Sequence, residues 1–300
     1  MIRYNAVRQR GMAIIAALVV VVAASTLAAS IIERQGLLAN ILITEGDRSQ
    51  AALMLRGGLD WARFVLQMDA RDNPTTRPDA IWARPVIGLP VGSADDPEYA
   101  LFSGQIEDEQ GKYNLRNLAD NASINREEVL VLERLLGWLG FDASLASLIA
   151  QRVADAQFGK EGRAAAVGLR SLDDLRVVHG VTAQAIDALQ PYLTVLPAVT
   201  KVNANTATPE VLGAVVDDLG LASARDLIVQ RDKGLWFSNR ADFVNRLRSQ
   251  GADAGRRISV SSDWFRVTGE VTVGDTMAGL RALVHRSDSR LPTIRWATYQ

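Results

Sequence analysis

The sequence has no cysteine and only two histidines, His179 and His285. Disulfides, thiolate catalysis, zinc fingers and cysteine-held iron–sulfur clusters are therefore excluded, and histidine-rich metal sites and triads have almost no material. Charge of one sign is missing as well. The 33 Lys and Arg balance 34 Asp and Glu to a net −1, so no overall basic field draws the chain to nucleic acid. Long apolar runs are absent except for one, which excludes a many-span transporter. There is no Gly-x-Ser-x-Gly, no phosphate loop and no His-Glu-x-x-His, so catalysis has no motif to start from. What remains is 300 residues that are 48% hydrophobic and 22% charged, a composition of folded domains rather than of a disordered or collagen-like chain.

The single apolar run lies at the N-terminus. Residues 1–11 carry Arg3, Arg8 and Arg10 and no acid, and no charge follows from Met12 to Ile32. At ~1.5 Å per residue that stretch is about 31 Å long, one bilayer core. The basic flank before it places the N-terminus in the cytoplasm and the rest beyond the membrane. Three readings fit: a signal peptide cut near Ala28–Ala29, a plain single-pass anchor, and a type IV prepilin leader ending at Arg10-Gly11 with cleavage before Met12. Proline is absent before Pro74, so one helix can run from Met12 to about Met68. Within it Ala51, Leu55, Leu59, Ala62 and Leu66 recur at helical spacing and form one apolar face.

Five of the nine prolines, at 74, 78, 85, 90 and 97, mark residues 71–97 as a loop-rich crossing from helix to sheet. Tyr99, Leu101 and Ile106 read as a strand, and Gln110-Gly111 as a hairpin turn before Lys112–Leu115. From Asn121 to Gln190 the apolar spacing is helical, with a helix start at Ser171-Leu172-Asp173-Asp174. A second helical stretch covers 202–247, in which Thr208-Pro209-Glu210 supplies an N-cap, an N1 proline and an early acid. The two stretches share a faint repeat. Leu139-Gly140-Phe141 precedes Gln151-Arg152 as Leu219-Gly220-Leu221 precedes Gln230-Arg231, and the copies go on to Asp174-Leu175 and Asp242-Phe243. Strands return at 257–261, 264–273 and 280–285, with Gly274-Asp275 as a turn and 293–298 as one more strand. A helical block is thus inserted into a sheet domain.

The candidate sites are few. Glu107, Asp108 and Glu109 are the densest acidic run near a turn and the candidates for calcium, against the blander reading of a solvated strand edge. The second helical stretch resembles helix-hairpin-helix modules that bind DNA phosphates, through Val202–Ala207, Leu219-Gly220-Leu221 and Gln230-Arg231. Its near-zero local charge opposes that use. The six tryptophans are too dispersed for a stacking platform and read as core.

Taken in order, the Arg-containing leader, Gly11-Met12, the long helix, Asp108-Glu109-Gln110, Asn114-Leu115, the inserted helices, Val202-Asn203-Ala204-Asn205-Thr206 and Ser262, Trp264-Phe265 resemble the type II secretion system minor pseudopilin K family over nearly the whole chain. The resemblance implies an α+β fold. A leader (1–11) precedes a long helix (12–70, with 12–32 transmembrane). The helix packs on a small antiparallel head (71–120 and 256–300), into which an all-α domain of two hairpin-like units is inserted (121–200 and 201–255). It implies cleavage between Gly11 and Met12 by prepilin peptidase and N-methylation of Met12. At the fifth mature position stands Ala16, where most pilins carry Glu and this family typically does not. A tip subunit has no neighbour above it to pair that carboxylate.

The function so implied is non-enzymatic. The chain would cap the pseudopilus with minor pseudopilins I and J and prime the assembly of other pseudopilins, in contact with the secretin or exported substrates. It would be held in the bacterial inner membrane with its C-terminal domain in the periplasm. No cofactor is required. Calcium is tied in the family to an acidic stretch after the first helical unit, and 152–160 is short of acids here. The alternative is a membrane-anchored helix-hairpin-helix DNA receptor of the competence type.

Overall fold

The computed structural model describes residues 7–92, 100–157, 166–247, 255–287 and 290–300, with side chains from Met12 onward. Helix α1 is unbroken from Val7 to Asp72, 66 residues. It thus begins before the expected start at Met12, since nothing between Val7 and Gly11 disfavours helix. It stops where Asn73 bonds back to the Asp69 carbonyl (2.9 Å) and carboxylate (3.0 Å) and Pro74 removes the next donor.

The head is a five-stranded antiparallel sheet of β1 (Val86–Val91), β2 (Ala100–Asp108), β3 (Trp264–Val273), β4 (Thr276–His285) and β5 (Thr293–Tyr299), adjacent in chain order. The helical domain leaves after β2 and returns before β3. The last three strands were legible as alternation, and the Gly274-Asp275 turn sits in a tight β3–β4 hairpin, with Gly274 at φ +53°. Strand β1 lies in the stretch that its prolines marked as loop. It survives there because it is an edge strand, where Pro90 withholds no ladder bond that the sheet needs, and a bulge between Val86 and Leu89 absorbs the irregularity.

One sheet face carries Ile106, Phe265, Val267, Val271, Leu280, Ala282 and Val284. Against it lies the expected α1 face, and Ala51, Leu55, Leu59, Ala62 and Leu66 are all buried. The approach is close: a side-chain carbon placed on Gly58 would sit 2.5 Å from the Phe102 ring.

The helical domain consists of α2 (Arg126–Trp138), α3 (Leu145–Asp155), α4 (Ala183–Leu189), α5 (Pro209–Val215), α6 (Gly220–Asp232) and α7 (Arg240–Arg246). Asn125, Thr182, Thr208 and Asn239 cap four of them through their side chains. The repeat has a structural basis. Gly140 and Gly220 follow α2 and α5 with φ of +79° and +69°, a left-handed turn that glycine makes without steric cost. Asp174 and Asp242 each accept backbone N–H groups at the start of the following turn.

Several expectations change. The start at Ser171 opens a 3-10 helix (Leu172–Val177) rather than an α-helix. The two helical units share one hydrophobic core, with Arg134 of α2 donating to the Ala214 carbonyl of α5 at 3.0 Å. Gln110-Gly111 does not turn a hairpin. A 3-10 turn at Glu109–Gly111 sends the chain off the sheet, and Tyr113-Asn114 pairs in parallel with Leu193-Thr194. Tyr113, Leu115, Leu118 and Ala119 therefore belong to the helical core, as does Ile258, which shifts both head boundaries. Residues 119–120 and 123–124 form a small hairpin, so the helical stretch expected from Asn121 begins only at Arg126. Of the tryptophans, Trp82 and Trp264 are core, while Trp61 is 46% exposed.

If the buried α1 face holds the head, Leu59→Ala costs about 2–4 kcal/mol. Leu53→Ala on the opposite, exposed face costs under about 0.5 kcal/mol. Urea unfolding of the full chain in detergent measures both.

Candidate functional site

The apolar run forms the exposed first part of α1. It is the one helix among the described residues that is long and apolar enough to cross a membrane. Gly11 and Met12 lie within α1, Met12 is 72% exposed, and Ala16 is exposed on the same helix. Exposed apolar residues do not stop at Ile32. Leu37, Leu38, Ile41, Leu42 and Ile43 follow, and then Leu53, Phe64 and Met68 line the side of α1 away from the sheet, while Trp61, 46% exposed, lies at the flank beside Val86 and Phe102.

The residues that carried the resemblance meet between sheet and helical domain. Asp108, at the end of β2, is buried. Its Oδ1 accepts from the Gln110 N–H at 2.8 Å, and its Oδ2 accepts from Thr206 Oγ1 (2.5 Å), Ser262 Oγ (2.6 Å) and Asn203 Nδ2 (2.9 Å). Asn203 also donates to the Thr76 carbonyl at 3.1 Å. Asn205 bonds the Phe237 backbone with both ends of its amide. Gln110 accepts from the Asp263 and Trp264 N–H groups, and Asn114 bonds the backbone at 196 and 198. Each polar residue of the scattered motifs thus satisfies buried backbone or another buried polar group.

Burial pushes the Asp108 carboxyl above its ordinary value, and the four hydrogen bonds offset this only in part. Burial beside the Glu128 carboxylate holds the Tyr113 hydroxyl well above its usual range. The hydroxyl therefore stays protonated and donates to Glu128 at 3.0 Å.

Two members of the network gave no sequence signal. Thr76 lies just beyond α1. Arg286 follows β4, pairs with Asp69 at 2.9 Å, donates to Thr76 Oγ1 (2.6 Å) and the Ser262 carbonyl (2.7 Å), and lies 4.7 Å from the Phe265 ring centre. Both are ordinary residue types whose roles arise only from contacts distant in sequence.

The acidic run is not a solvated edge, because Asp108 and Glu109 are buried. Nor does it fit calcium. Glu109 accepts from Lys112 and Arg266, each at 2.8 Å, and from Thr194, so protein cations stand where a metal ion would. Among the described residues no group of three His, Cys, Asp or Glu side chains is placed to hold a metal. The stretch 152–160 lies partly outside the described residues. Arg231, the helix-hairpin-helix candidate, points inward, donating to the Ala204 and Ala207 carbonyls at 3.0 and 2.7 Å, which removes it from any phosphate-binding face.

Models of type II secretion system protein K match residues 111–198 and 202–261. The type II secretion system protein K of Pectobacterium carotovorum is 28% identical, with 96% of each chain covered. That of Pseudomonas aeruginosa is 26% identical, with 93% of this chain and 89% of the relative covered. That of Klebsiella pneumoniae is 27% identical over 93% of each. The fold is that of a chain in the GspK–GspI–GspJ complex of the enterotoxigenic Escherichia coli type 2 secretion system. The TM-score is 0.66 at 17% identity, over 86% of this chain and 98% of that one.

Asp108→Asn replaces a shared acceptor with an amide that must turn its NH2 toward another donor, at a cost of about 2–3 kcal/mol. Because the folded carboxyl titrates above its unfolded value, the wild-type advantage over Asp108→Asn is largest below the ordinary carboxylate range. It falls as pH rises through the folded pKa. Paired urea titrations of the two proteins across this window read the sign directly.

Proposed function

We propose that this chain, which matches type II secretion system protein K in the family's models and along nearly its whole length, is the minor pseudopilin at the tip of the pseudopilus, a non-catalytic subunit that primes assembly and supports export across the outer membrane. The observation that carries this reading is α1. Its apolar surface is longer than a bilayer requires and is not covered by the head. Residues 12–32 match one hydrocarbon thickness, and the exposed apolar residues from Leu37 to Met68 continue into the region beside the head. Such a surface calls for protein neighbours. The chemistry suited to it is another long apolar helix, as minor pseudopilins I and J and the other pseudopilins would supply.

Ala16 fits a terminal position in the fibre. A carboxylate there would need a cationic partner from a subunit above, and alanine needs none. The inserted helical domain adds bulk beside the sheet, which a tip position accommodates. In this reading prepilin peptidase cuts between Gly11 and Met12 and Met12 is N-methylated. The anchor sits in the inner membrane with the N-terminus cytoplasmic and the head periplasmic. The DNA-receptor alternative loses its main support with Arg231 turned into the core.

Two measurements test the reading. The intact mass of the membrane-extracted protein loses residues 1–11 and gains one methyl group only in cells that have prepilin peptidase. An uncut chain, or a cut near Ala29, contradicts it. The double variant Leu53→Ser/Phe64→Ser keeps the stability of the head within about 1 kcal/mol, since both residues are exposed on the side of α1 away from the sheet. It recovers at least fivefold less of the minor pseudopilins I and J on co-purification.

A further inference from the structure

The sheet face opposite α1 is only partly covered by the helical domain, and between the two lies a cleft of about 660 Å3. Four arginines line it: Arg170 from the helical domain, Arg266 on β3, Arg281 on β4 and Arg295 on β5. Two side-chain carboxylates also line it, and both are already engaged. Glu109 is buried between Lys112 and Arg266, and Asp173 pairs with Arg176 at 2.9 Å. Arg170, Arg281 and Arg295 are exposed, and none makes an ion pair among the described residues. Arg266 spends one nitrogen on Glu109, while its buried Nε has no acceptor. Cationic charge therefore exceeds what the fold uses at this place, on a chain whose net charge is −1.

We infer that this cleft is a docking site for an extended, acidic peptide segment of a partner protein. Guanidinium groups on facing walls suit carboxylates spaced along a chain, each of which can be held by two parallel N–H···O bonds. The cleft floor offers apolar contact as well, from Leu283 and Trp296. A lipid headgroup does not fit. A side-chain carbon on Gly269, which pairs with Leu280, would lie 3.2 Å from Leu55, so the cleft stands level with that part of α1. Leu55 is 23 residues past Ile32, or about 35 Å along the helix. Surface charge is screened within about 8–10 Å at physiological salt. This step uses the placement of residues 12–32 in the bilayer; the charge argument does not.

The test uses the full chain in nanodiscs of zwitterionic lipid and a fluorescent ten-residue peptide of alternating Glu and Ser, read by anisotropy. Saturable binding is expected, weakening as salt is raised and absent for the same peptide with Gln in place of Glu. Arg281→Gln and Arg295→Gln each weaken it about fivefold, and Arg225→Gln, on α6 away from the cleft, leaves it unchanged. Arg266 is spared because it holds Glu109. Equal binding of the Gln peptide overturns the inference, as does undiminished binding to Arg281→Gln/Arg295→Gln or loss of binding when anionic lipid replaces the zwitterionic lipid. A processed, assembling protein that fails this test would leave the tip-subunit reading standing.

Discussion

A carboxylate shut away from water must be surrounded by donors, and the arrangement of this molecule depends on how that is met for Asp108. The residue ends β2, where the chain leaves the sheet for the helical domain. Its donors come from Asn203 and Thr206, inside the helical insertion, and from Ser262, where the chain re-enters the sheet. Asn203 carries the network on to Thr76, and Arg286 fastens Thr76 to Asp69 in the last turn of α1. One buried charge thus ties the anchor helix, the sheet and the helical domain together. Each connection is short, directional and out of water, so sliding one part past another would leave several groups unsatisfied.

That rigidity bears on function. In the proposed tip role the head must keep a fixed orientation on its helix, which a hinge at the insertion would undo. The same α1 that buries Leu55, Leu59 and Leu66 against the sheet leaves Leu53 and Phe64 uncovered on its other side. The head takes one face of the helix, and the proposed neighbours take the other.

How much of this the residues foretold depends on whether their signal was local. The α1 stripe was legible because a helix shows its buried face as a 3.6-residue period, and all five expected residues are buried. The strands from Trp264 to His285 and the paired Gly140 and Gly220 turns were legible for the same reason, as alternation and backbone requirement act within a few residues. Edge strand β1 was hidden because proline reads as loop unless the strand's position in the sheet is known. The acidic run at 107–109 was misread because an acid held by Thr206 or Arg266 looks, in sequence, like one held by water. Arg231 was ambiguous for the same reason: whether a cation faces solvent or two backbone carbonyls is decided by the fold around it. The motif order still pointed to the family whose models match 111–198 and 202–261, because the residues that meet at Asp108 are those that made up the motifs.

The most direct test is native-state hydrogen exchange on the full chain carrying Asn203→Ala. Asn203 belongs to the helical insertion, yet its partners Thr76, Asp108 and Ser262 lie on the sheet side of the junction. The account predicts that amides in β3 and β4 lose protection by as much as those in α2 and α5. Loss confined to the helical domain, with the sheet unchanged, would contradict the claim that the Asp108 network makes the two parts one body.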